Sequence, residues 1–275
     1  MTDPIKYWNG IGGHAWVDLQ SVIDDVFQPF TDLLIEPCAG GSVRSVLDVG
    51  CGAGGTTLAA ARRLGASGRC VGIDISEPLI AAARARAEHE RSSARFVVGD
   101  AQTYALEAGV FDLVMSRFGV LFFDDPVAAF ANVRRAATVH GLLRFIAWRG
   151  PSENLFLTTP ERAAAQMLPN LEPRRPDGPG AFAFADRDEG FRILADSGWS
   201  DITIQPIDVA CTLRERDLIS YFTRIGPLGR VFHALDDVTQ ARIVETVRAA
   251  SEPYVHGTEV RFTAACWLVN AGAAS

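Results

Sequence analysis

Apolar positions along this chain follow two rhythms. Five short, nearly continuous apolar runs at 46–49, 70–75, 95–98, 111–116 and 142–148 have the length of buried strands. Between them, Ala- and Leu-rich stretches at 56–64, 78–89 and 126–137 have helical spacing, with Ser76 placed to cap the second. Strands alternating with helices predict parallel βαβ units with right-handed crossovers. Upstream, Trp16, Leu19, Ile23, Val26, Phe27, Phe30, Leu33 and Leu34 recur every three or four residues, which predicts a helix from Ala15 with Pro29 as a candidate kink. Residues 1–13 read as an irregular, Gly-rich lead-in. After Pro151 prolines crowd 160–179, and the patterns predict helices at 161–167, 188–198, 218–222 and 239–250 and strands at 202–213 and 260–269. The stretches 151–185 and 215–255 are expected to fold over the sheet as a cap.

Composition narrows the class. With 275 residues and 48% apolar content, the chain can bury a sizeable core. Its net charge of -7 argues against a nucleic-acid-binding surface, and the Arg174-Arg175 pair is too short to form a basic tract. Cys38, Cys51, Cys70, Cys211 and Cys266 form no CxxC pair, which predicts reduced thiols rather than disulfides or a metal site. No signal-peptide pattern and no apolar window of membrane-spanning length is visible, so a cytoplasmic protein is expected.

The chemistry concentrates in 46–57, VLDVGCGAGGTT. A strand ends at an acid, turns through Gly50, Gly52, Gly54 and Gly55, and enters a helix. Glycines let backbone approach a ligand, and the helix N-terminus adds unpaired N–H groups at the same place. Two patterns overlap there. Gly50, Gly52 and Gly55 give the dinucleotide pattern G-x-G-x-x-G. Asp48 with Gly50, Gly52 and Gly54 gives D-x-G-x-G-x-G. A carboxylate at Asp48 is awkward beside a pyrophosphate and suits a ligand that presents an ammonium. Asp74 ends the second strand, where an acid can take ribose hydroxyls in either class. Asp100 ends the third strand, where it can accept from an adenine amino group, and Ser116-Arg117-Phe118 end the fourth.

In order and spacing, residues 45–150 resemble class I S-adenosylmethionine-dependent methyltransferases. The run SRFGVLFFDDPVAAFANVRRA and the leading Trp8-Asn9-Gly10 are similar to the bacterial subgroup related to ubiquinone/menaquinone-biosynthesis C-methyltransferases. One departure is Val139-His140-Gly141, where that family often has Pro-Gly-Gly; it reads as a turn on the far side of the sheet. The resemblance implies an α/β, Rossmann-like, seven-stranded, mostly parallel sheet, last strand antiparallel, with helices on both faces. The chain then divides into a helical lid at 1–44, a cofactor core at 45–150, a cap with one sheet strand at 151–259 and the last strand at 260–275. Cofactor binding is implied for Trp16, Asp48, Gly50, Gly52, Gly54, Asp74, Ile75, Asp100, Ala101 and Ser116.

Methyl transfer from a sulfonium is an in-line displacement, so the protein mainly positions and desolvates. Tyr7, Trp8, Phe118, Phe122 and Trp148 are candidates for the substrate side; core burial competes for Phe122 and for Phe123, Phe182 and Phe184. Asp112, at a strand start, is expected to be structural. His14 is the first candidate for a general base and Arg117 for a substrate-binding cation, while a solvated histidine remains the plainer reading. The expectation is S-adenosyl-L-methionine as cofactor, S-adenosyl-L-homocysteine as product, no metal, and a small aromatic or apolar metabolite as acceptor. The oligomeric state, a dimer included, stays open. Two alternatives stand beside it. One is an NAD(P)-dependent oxidoreductase, weakened because Lys6 is the sole lysine and no Tyr-x-x-x-Lys pair exists. The other is a cofactor-binding protein without turnover.

Overall fold

The computed structural model describes residues 4–171, 174 and 178–273. Pro173, Arg175 and Pro176 of the proline-rich stretch lie outside the described residues. Three helices lead: α1 (Pro4–Trp8), α2 (Ile11–Asp18) and α3 (Gln20–Ile35). The core alternates β1 (Ser45–Val49), α4 (Gly55–Leu64), β2 (Arg69–Asp74), α5 (Glu77–His89), β3 (Arg95–Val98), β4 (Phe111–Arg117), α6 (Pro126–Ala136) and β5 (Ala137–Trp148). There follow α7 (Leu155–Ala164), α8 (Arg187–Asp196), β6 (Ser200–Arg214), α9 (Leu218–Arg224), α10 (Gly226–Val231), α11 (Asp237–Ser251), β7 (Val255–His256) and β8 (Glu259–Gly272).

The strands form one sheet in the order β3-β2-β1-β4-β5-β8-β6, with β7 added beside β8. Neighbours β3 through β5 are parallel, and β8 runs antiparallel to both β5 and β6. The expected Rossmann-like sheet with an antiparallel last strand is therefore present, with the short β7 as an eighth strand. The order reverses at β1 and β4, and the carboxyl ends of strands at such a switch point leave a crevice for ligands. The expected cap holds: Ser76 accepts from Leu79 N–H before α5. Asp125 caps α6 in the same way, accepting from Ala128 N–H.

Four local expectations change. Within the expected irregular lead-in, α1 and α2 form on either side of a turn at Asn9-Gly10, and the chain breaks at Leu19 instead of running as one helix from Ala15. What holds this segment comes from far along the chain. Asn9 donates to Ile75 O (3.2 Å) and accepts from Glu77 N–H (2.8 Å), and Ser76 donates to Trp8 O (2.6 Å). Gly13 permits the fit, since a Cβ there would stand 2.0 Å from Trp8 O. Second, α3 continues through Pro29. Third, Val139-His140-Gly141 is no turn: β5 begins at Ala137, and the register with β4 shifts between Phe111↔Ala137 and Leu113↔Leu142, a bulge at the end of the sheet opposite the crevice. Fourth, the first helix of the cap region starts at Leu155, six residues early, and carries Pro160 within it.

In the second half, the Phe156 ring stacks on Phe262 of β8 at 4.0 Å and meets Phe222 and Tyr254, gathering α7, α9 and the end of α11 over the sheet. The Arg230 guanidinium lies 4.5 Å above the Tyr7 ring, and Arg224 pairs with Asp18, so this group of helices touches the leading ones. All five cysteines are buried and free. Among the described residues no helix is long and apolar enough to cross a membrane.

Candidate active site

The loop after β1 is shaped by contact with the loop after β4. Gly50 has φ +67°, and a Cβ on it would lie 2.6 Å from the Gly119 Cα. Only two glycines let these backbones meet. Beside them a cavity opens between the glycine loop, the start of α4 and the face of α3.

Asp48 is buried on the wall of this cavity. Its Oδ2 accepts from Thr57 Oγ1 at 2.6 Å, while its Oδ1 is buried without a hydrogen-bond partner. Burial pushes its carboxyl up to about 7, against the opposing pull of Thr57 and Arg117. An unpaired buried acceptor costs about 1–3 kcal/mol, which a donor in the cavity would recover. Asp74 is arranged differently. Its Oδ2 accepts from Gly52 N–H (2.8 Å) and its Oδ1 from Ser76 N–H (2.9 Å). Burial raises this carboxyl too, and those two N–H groups oppose the rise. Each oxygen keeps a lone pair for a further donor.

Of the residues expected at the cofactor, Trp16, Asp48, Gly50 and Gly52 line the cavity, and so do Arg117 and Phe118. Gly54, Asp74, Ile75, Asp100, Ala101 and Ser116 stand outside its wall. Gly54 is the left-handed N-cap of α4. The Ile75 carbonyl is held by Asn9, the Ala101 carbonyl by Asn132, and Asp100 accepts from Gln102. Ser116 donates to Val49 O (2.7 Å) and accepts from Gly119 and Val120 N–H, so its hydroxyl braces the turn. Asp112 is structural as expected, accepting from Arg44 N–H, Ser45 N–H and Ser45 Oγ.

The aromatic candidates divide. Tyr7, Trp8, Trp16 and Phe122 form an edge-to-face group, with Trp8 5.1 Å from Tyr7, 6.0 Å from Trp16 and 5.5 Å from Phe122. Trp148 is instead buried in the core, stacked on Phe118 at 4.5 Å and edge-on to Phe27 and Phe30. That cluster holds Phe118 at φ +67°, a conformation strained for an aromatic residue. Phe182 and Phe184 are core residues, the latter packed on Phe130 and Phe145. His14 is exposed, its Nδ1 2.8 Å from Gly10 O, away from the cavity wall.

Several wall residues escaped the sequence reading. Gln20 and Asp24 line the cavity from α3. Asp24 pairs with Arg86 (2.8 Å) and Arg117 (3.3 Å); Arg86 also donates to Ala53 O, and Arg117 to Thr31 Oγ1 while lying 5.7 Å above Phe27. Arg117 is thus a fixed cation on the wall. The available signal was spacing: Gln20 and Asp24 lie four residues apart in α3, polar positions along one edge of the apolar stripe.

Residues 46–141 match the family described as Methyltransferase domain. Aklanonic acid methyltransferase DauC of Streptomyces sp. (strain C5) is 40% identical over 98 residues, 35% of this chain and 43% of that one. Demethylmenaquinone methyltransferase of Lactococcus lactis is 27% identical over 128 residues, 46% of this chain and 51% of that one. The chain thus spans about half or less of these relatives' length. Among solved structures, geranyl diphosphate C-methyltransferase of Streptomyces coelicolor A3(2), in complex with S-adenosyl-L-homocysteine, has the same fold at a TM-score of 0.51 and 20% identity, covering 89% of this chain and 75% of that one. The match to a methyltransferase domain falls within residues 45–150, the segment whose glycines and strand-end acids carried the resemblance to class I S-adenosylmethionine-dependent methyltransferases.

Proposed function

We propose that this protein transfers a methyl group from S-adenosylmethionine to a small aromatic or apolar acceptor. The observation that carries the reading is Asp48 Oδ1, a buried carboxylate oxygen with no partner on the cavity wall. A cationic amine satisfies it; a pyrophosphate would face its charge at close range in a low-dielectric site. That preference favours the methionine end of the cofactor over a dinucleotide. The bound cofactor would supply both the activated carbon and the leaving group. The chain's own part is to bind, orient and exclude water. Asp48 faces the ammonium, Gly50 and Gly52 admit the methionine end, and Asp74, already steadied by two N–H groups, takes the ribose hydroxyls. Asp100 and Ala101 serve the adenine. The edge-to-face rings of Tyr7, Trp8, Trp16 and Phe122 offer apolar walls and π faces to an acceptor and a sulfonium.

The net charge of -7 supports a metabolite acceptor over a nucleic acid, and five buried free thiols support a cytoplasmic site of action. We read the chain as one domain, with 1–44 as lid and 151–259 as cap. Calorimetric titration with S-adenosylhomocysteine and with NADH tests the cofactor. Binding of the first alone is expected, and Asp74→Ala should weaken it by about 1–3 kcal/mol. Binding of NADH instead would return the oxidoreductase reading. A methyl-donor assay across phenols, quinols and amines separates an enzyme from a non-catalytic binder.

A further inference from the structure

Among the described residues, the buried side-chain polar atoms without a partner are Gln20 Oε1, Asp48 Oδ1, Arg134 Nε, Arg149 Nε and Glu161 Oε2. The last three stand away from the cavity wall, where Arg134 donates to Ala273 O, Arg149 pairs with Glu153 and Asp208, and Glu161 pairs with Arg174. The first two are both acceptors, and both residues line the one cavity. Native structures rarely leave such atoms unpaired, and two on a shared wall mark a ligand that brings donors.

The charges around them specify the donor. Asp24, one helical turn beyond Gln20, adds a carboxylate, and its hold on Arg86 and Arg117 keeps those guanidiniums off the two orphaned oxygens. An ammonium carries three N–H donors and can bond a carboxylate and an amide oxygen together. We infer that Gln20 binds the cofactor, its Oε1 accepting from the methionine ammonium that Asp48 faces. The inference rests on the methyltransferase reading above and adds to it a specificity residue from α3, outside the 46–141 segment that matches the family. It also explains why α3 packs against the glycine loop. The helix completes the amino-acid end of the site as well as burying its own apolar face.

The test is binding of two ligands to three proteins. S-Adenosylhomocysteine carries the ammonium; 5′-methylthioadenosine lacks the whole amino-acid end. Gln20→Met removes the acceptor at similar length, and Gln20→Glu keeps an oxygen in place. Thermal melts check that each variant folds. Gln20→Met should bind S-adenosylhomocysteine about tenfold to a hundredfold more weakly, the range of a hydrogen bond to a charged group, and methylthioadenosine within about twofold of wild type. Gln20→Glu should stay within about threefold for both. Equal loss on both ligands would assign Gln20 to packing and overturn the inference. So would an unchanged Gln20→Met. A Gln20→Glu loss as deep as that of Gln20→Met would mean that the residue faces the cofactor's carboxylate, which also overturns it. Wild type that binds neither ligand defeats the methyltransferase reading, and this inference with it; wild type that binds both isolates the question to Gln20.

Discussion

β1 and β4 are parallel neighbours, and each turns from the crevice end of the sheet through a glycine-containing loop. Each places a polar residue one position before its end, Asp48 in β1 and Ser116 in β4. Their hydrogen bonds part company there. The Ser116 hydroxyl is used three times, by Val49 O and by the N–H groups of Gly119 and Val120. Asp48 has Thr57 on one oxygen and nothing on the other. A polar residue at a strand end is free to meet a ligand when it keeps bonding capacity toward the crevice. Where neighbouring backbone takes that capacity, the same kind of residue holds the turn. The two ends are complementary, because the β4 loop braced by Ser116 is what Gly50 leans on.

The largest effect should come from forcing the two loops apart. Gly50→Ala puts a Cβ against Gly119 in a left-handed conformation, and urea unfolding should show a loss of about 3 kcal/mol. A loss below about 1 kcal/mol would mean that the loops move independently. Next is Asp48→Asn, expected to weaken S-adenosylhomocysteine binding by about 2 kcal/mol, near thirtyfold, by calorimetry at pH 8. The same residue sets the pH dependence. Its carboxyl, raised by burial to about 7, is ionised above that pH and meets a cationic amine directly. Below it the proton must leave on binding, so affinity should fall by up to tenfold per pH unit as pH drops. In Asp48→Asn this slope should disappear; a slope that persists would assign it to another group. The smallest effect is Ser116→Ala, expected to cost about 1 kcal/mol of stability with ligand affinity unchanged within about twofold. A selective loss of affinity in that variant would erase the distinction between the two strand ends.

The strands and helices of 45–148 were legible because each carries its own local signal. The apolar runs are short, the glycines stand at the turns, and Ser76 is a side chain suited to cap the helix that follows. The N-terminal helices were not legible. Gly-rich residues 10–13 have weak helical propensity, and the segment is held by Asn9, Ser76 and Glu77 across 68 positions of sequence. Likewise α10 and β7 are short elements formed against neighbours, with too little local pattern to announce them.

Asp48 and the glycines marked a candidate ligand site by spacing, since strand, turn and helix bring neighbouring residues together wherever the chain goes. Periodicity predicted the layered sheet, and the resemblance carried by the strand-end acids and glycines implied the class of ligand. Which polar atoms remain unpaired was decided only in three dimensions. Ser116 was consumed by the adjoining turn, Trp148 was drawn under Phe118, His14 faced outward, and Gln20 and Asp24 were carried from α3 to the cavity wall. The physical reason is that hydrogen-bonding capacity is settled by every neighbour at once, and most neighbours of the loop VLDVGCGAGGTT come from distant parts of the chain.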